Sequence, residues 1–94
     1  LVPSAEMAER ADKLFAKAMD LKNELSKLPA LSNDRIAAEN DYTKSLRESL
    51  ILFRQAFEST KDIVMKAHTH NRMEQIFELC QQQLESGEAK KQAG

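Results

Sequence analysis

From Met7 onward the apolar residues of this chain return every three or four positions, as Met7, Ala11, Leu14, Ala18, Leu21, Leu25 and Leu28. That spacing holds side chains on one helical face. Sustained in a seven-residue rhythm, it predicts a helix lying lengthwise on another. A second strip, Ala8, Phe15 and Met19, runs beside the first and gives way to Lys22 and Ser26. The front half of this first helix is therefore expected to face two neighbours and the back half one. Ser4 is placed to cap the amide of Met7, with Glu6 and Glu9 at the positive end of the helix dipole. Pro29 is expected to end the helix, because proline disfavours the helical conformation of the residue before it.

The densest apolar run is Leu46 to Phe57, where Leu46, Leu50, Phe53 and Phe57 share one face and Ile51 and Leu52 lie outside it. It reads as the middle of a second helix from about Asp34 to about Ala67, roughly 50 Å long at helical rise. Ser32, Asn33 and Asp34 are its candidate caps. Its expected core positions are Ile36, Thr43, Leu46, Leu50, Phe53, Phe57, Thr60, Val64 and Ala67. Asn40, Asp41 and Thr43 have low helix propensity, and Ser45 with Glu48 could open a fresh helix as a capping box. A break near residues 39–45 is the alternative to one continuous helix. Tyr42 and Ser49 occupy a second edge early, and Leu52, Ala56 and Ile63 occupy it later, so the later half is the part prepared for a third helix.

Ala67 to Asn71 reads as a polar connector containing His68 and His70. A third helix is expected from about Arg72 to Ser86, burying Met73, Ile76, Phe77, Cys80 and Leu84, with Gly87 as its stop. Residues 88–94 have nothing to bury and read as a frayed or disordered tail behind a single domain of residues 1–87. The predicted fold is all-α: an antiparallel three-helix bundle with a long central helix, in which the first and third helices meet only over the level of Leu46 to Phe57.

Composition agrees with that class. Two Gly, two Pro, 41% apolar and 31% charged residues among 94 describe a helical bundle rather than a turn-rich β domain. The net charge of −1 builds no strong field for nucleic acid or an acidic membrane. A lone cysteine, Cys80, excludes an intrachain disulfide and fits a reducing intracellular setting, cytoplasmic or nuclear. No apolar run approaches the ~20 residues of a transmembrane helix. The opening Leu1-Val2-Pro3-Ser4 reads as cut from a longer chain, whose other functions would lie elsewhere.

Few residues suggest chemistry. His68, His70 and Cys80 are the candidate soft-metal ligands. Two His at i, i+2 diverge on a helix, and zinc normally wants four ligands, so no metal is expected. The chain has no phosphate-cradling glycine loop, no dinucleotide fingerprint and no nucleophile elbow. Neither a cofactor nor an active site is expected. Arg47, Arg54 and Lys61 repeat every seven residues, but Glu48, Glu58 and Asp62 accompany them, which favours a mixed solvated face over a phosphate-binding one.

Ser45-Leu-Arg-Glu-Ser-Leu-Ile-Leu-Phe-Arg-Gln-Ala-Phe-Glu58 resembles the second helix of microtubule-interacting-and-trafficking (MIT) domains. Ala11-Asp-Lys-Leu-Phe-Ala-Lys-Ala18 and the helix count are similar to that family too. The resemblance covers about half the chain, and departs from the family in the early start of the second helix. It implies binding of short motifs from endosomal-sorting proteins in an interhelical groove. From the residues themselves, the expected function is a non-catalytic protein-interaction module of a larger protein. The alternatives are a subunit of a helical hetero-complex and a nucleic-acid accessory domain, so the chain is expected as a monomer or hetero-oligomer. A partner helix or short motif is expected between the first and third helices, on Phe15, Met19, Leu79 and Gln83. The back of the second helix, with Arg47, Ile51, Arg54 and Met65, is a secondary candidate patch.

Overall fold

The computed structural model describes residues 3–93, with side chains through residue 87, as three helices: α1 (Ser4–Leu25), α2 (Asn33–Ser59) and α3 (Ile63–Ala93). Ser4 already lies inside the first turn of α1, so it does not cap it. The carbonyl of Pro3 instead accepts from the amides of Glu6 and Met7, each at 3.1 Å. α1 stops at Leu25, ahead of the expected end. Two tight turn bonds follow, Lys27 N–H to the Glu24 carbonyl and Leu28 N–H to that of Leu25. Arg35 then donates to the Leu28 carbonyl at 3.1 Å, tying this turn to the start of α2. Ser32 caps α2, its Oγ accepting from the Arg35 amide at 3.1 Å.

α2 runs without interruption through residues 39–45. Its weak helix formers are offset by contacts: Thr43 Oγ1 donates to the Glu39 carbonyl at 3.0 Å, and Tyr42 and Ser45 are buried. The helix ends much earlier than the apolar rhythm predicts. Thr60 is extended, at φ −84° and ψ 147°. Its Oγ1 accepts from the Asp62 amide at 3.1 Å, and Asp62 Oδ1 accepts from the amides of Val64 (2.9 Å) and Met65 (3.4 Å). Asp62 is therefore the N-cap of α3, and the chain reverses where one helix was expected to continue.

This corner moves three assignments. Ala67 to Asn71 is helical, so His68 and His70 are not turn residues. Val64 is 77% exposed and Ala67 is exposed, because both lie beyond the corner and off the core. Ile36, near the other end of α2, is half exposed rather than core. Gly87 does not stop α3, whose backbone stays helical to Ala93. The remainder of the expected tail, the side chains of residues 88–94, lies outside the described residues.

The core is a cluster of Ala11, Ala18, Tyr42, Leu46, Phe53 and Ile76. Phe53, the largest fully buried side chain, sits at its centre as expected. Only alanines are fully buried on α1, and Ser45, Ser49 and Ala56 are buried on α2. Such small residues let two helices approach closely. α1 consequently packs most extensively on α2, α3 packs on α2 less so, and α1 and α3 meet through side chains rather than through close backbone approach. With a long axis of 48 Å and a radius of gyration of 15.1 Å, the bundle is longer than a compact chain of this size, for which about 12 Å is typical. No helix among the described residues is long and apolar enough to cross a membrane.

A candidate groove between the first and third helices

α3 turns a different face to the core than its sequence suggests. Thr69 and Ile76 are fully buried, Met73 and Cys80 half-buried, and Phe77 and Leu84 exposed. Thr69 hides its hydroxyl by donating to helix carbonyls, that of Met65 at 2.9 Å among them. Centring α3 on Thr69 and Ile76 sends His68, Arg72 and Leu79 toward α1.

Side-chain contacts between α1 and α3 gather at one level. His68 Nε2 lies 3.0 Å from both carboxylate oxygens of Asp12, and the His68 ring meets Phe53 edge-on, centroids 6.0 Å apart. One turn along, the Arg72 guanidinium lies 4.8 Å above the Phe15 ring, and its Nη1 donates to Gln75 at 2.8 Å. Arg72 Nε is 3.5 Å from Asp12 Oδ1, close enough for charge attraction. It makes no hydrogen bond there and is buried without another partner. Beyond this strap the helices separate into a groove.

The first part of the groove, about 280 Å³, lies among Phe15, Met19, Arg72, Glu78, Leu79 and Gln82. The second, about 450 Å³, has Tyr42 and Leu25 among its walls, together with Lys22, Arg35, Gln83 and Gly87. Leu79 and Gln82 line both, so the two lie side by side along α3. Burial, and less strongly the neighbouring Cys80, push the Tyr42 hydroxyl above its ordinary pKa.

The structure brings Phe15, Met19 and Leu79 together in the first part and places Gln83 in the second, where its Nε2 donates to Thr43 Oγ1 at 2.7 Å. Leu79, which the expected buried face of the third helix left out, is half-buried and packed against the core cluster. Of the secondary patch, Arg47, Ile51 and Arg54 are exposed on α2, but Met65 belongs to α3 and is half-buried, so the four do not share one helix face. His68 and His70 pair with Asp12 and Glu74, each at 3.0 Å. Sequence reasoning missed Arg72, Gln82 and Tyr42. Gln82 could have been found three residues from Leu79 on the same helical face. Arg72 could not, having been assigned to the start of a helix rather than its second quarter.

No protein-family model, curated protein or solved structure matches this chain.

Proposed function

We propose that this chain is a non-catalytic interaction module whose α1–α3 groove holds a short apolar segment of another protein. The observation that carries the reading is the groove between α1 and α3, which Phe15, Met19 and Leu79 line together. Volumes of a few hundred Å³ suit several side chains of a short segment better than a whole helix. Apolar anchors seat on Phe15, Met19 and Leu79. The amides of Gln82 and Gln83 meet main-chain groups that an extended segment leaves unpaired. A free, half-buried Cys80 supports a reducing intracellular setting.

Panning a random-peptide display library against the chain tests this. Peptides with two or more large apolar residues should be enriched, and Gln82→Trp should remove their binding with the circular dichroism unchanged, because Gln82 is exposed and lines both parts of the groove. An absence of enrichment, or binding indifferent to Gln82→Trp, would overturn the reading.

A further inference from the structure

The opposite side of α3 carries a second pattern. Ile63, His70, Phe77 and Leu84 recur at intervals of seven, and Phe77 and Leu84 are 59% and 71% exposed. Two contacts fix how this row lies against α2. The rings of Phe57 and His70 are 6.3 Å apart, and Gln83 bonds Thr43 at 2.7 Å. Leu50 falls midway between Phe57 and Thr43 on α2, and Phe77 lies within one residue of midway between their partners His70 and Gln83 on α3. In antiparallel helices those midpoints meet. Leu50 and Phe77 therefore share one level of a shallow apolar trough between α2 and α3, on the side away from α1.

The α2 wall of this trough carries two exposed arginines, one of them paired with an acid of the same helix. The neighbours of Leu50 at i−4 and i+3 are Leu46 and Phe53, both buried. Its neighbours at i−3 and i+4, Arg47 and Arg54, accordingly stand on the outer side, and both are exposed. Arg54 pairs with Glu58 at 3.1 Å, while Arg47 makes no ion pair among the described residues. The apolar row and the arginine pair keep the same seven-residue interval, which is the repeat of a helix laid along them.

We propose that the α2–α3 trough docks an amphipathic helix of another protein, its apolar stripe on Phe77, Leu84 and Leu50 and an acidic edge against Arg47 and Arg54. A second copy of this chain is the poorer occupant. α2 stands beside the row, so two-fold pairing through α3 brings the two α2 helices, and two sets of Arg47 and Arg54, against each other. This face is separate from the α1–α3 groove, and neither assignment depends on the other.

The probes are two synthetic helical peptides with leucine at the a and d positions of a seven-residue repeat, identical except for glutamate or lysine along one edge. Titration calorimetry against the intact chain should show the glutamate peptide binding at least ~10-fold more tightly than the lysine peptide, about 1.4 kcal/mol. Phe77→Ser should weaken both. Arg47→Glu with Arg54→Glu, which leaves the apolar row and core untouched, should reverse the preference. Failure of both peptides to bind, equal binding of the two, or an unchanged preference in the double variant would each overturn the proposal. So would sedimentation of the chain alone as a dimer that Phe77→Ser dissolves, which would assign the face to a second copy.

Discussion

Replacing Ser49 with alanine should make the bundle more stable. Ser49 is 0% exposed, in the interior of α2, and its Oγ has no hydrogen-bond partner. A buried hydroxyl left unpaired costs about 1–3 kcal/mol relative to its hydrated state in the unfolded chain. Alanine removes that cost and adds up to about 0.5 kcal/mol of helix propensity. Against this stands the loss of one oxygen's packing contacts at the crowded α1–α2 seam, roughly a few tenths of a kcal/mol. The expected net gain is about 1–2 kcal/mol, a noticeable share of the ~5–15 kcal/mol total of such a domain. In a chain under a hundred residues that raises the Tm by roughly 5–15 °C. Urea unfolding followed by circular dichroism should show a higher midpoint with an unchanged slope. A lower midpoint would mean that the hydroxyl is satisfied in solution and that the small-residue seam needs it.

Two further perturbations address the corner and the core wall. Asp62→Ala removes the side chain that caps α3 at Val64 and Met65 and should cost about 1 kcal/mol in urea; an unchanged midpoint would show that the corner holds without it. Tyr42 is the chain's single tyrosine, so its ionisation can be followed by tyrosinate absorbance. Its folded pKa is raised by burial, so the stability it contributes is full below the ordinary value of about 10 and is lost as pH rises through the higher folded value. A titration midpoint at or below 10 in the folded chain would contradict this burial.

The helical class, the helix count and the central place of Phe53 were legible in the sequence because a buried face imposes a period that few other arrangements share. The corner at Thr60 was not. Phe57, Thr60, Val64 and Ala67 keep the helical rhythm across it, and the signal that breaks it is polar: a threonine and an aspartate two residues apart, each bonding local amides. Misplacing that corner rotated the assigned face of α3, so Phe77 and Leu84 were expected to be buried and Thr69 to lie in a turn. Phe15 and Met19 lie on an α1 strip that loses its apolar character at Lys22, and that change marks where α3 stands apart. The continuity of α2 through residues 39–45 was the expected reading, and its support lies outside local propensity: the burial of Tyr42 and the bond from Gln83 to Thr43 come from other helices.

The assignment of the α1–α3 groove is tested most directly by methyl-detected NMR of the labelled chain titrated with a peptide selected from the random library. Shifts should concentrate at Met19, Leu25 and Leu79, with Leu84 and Ile51 unmoved. Shifts at Leu84 or Ile51 that leave Met19 and Leu79 in place would contradict it.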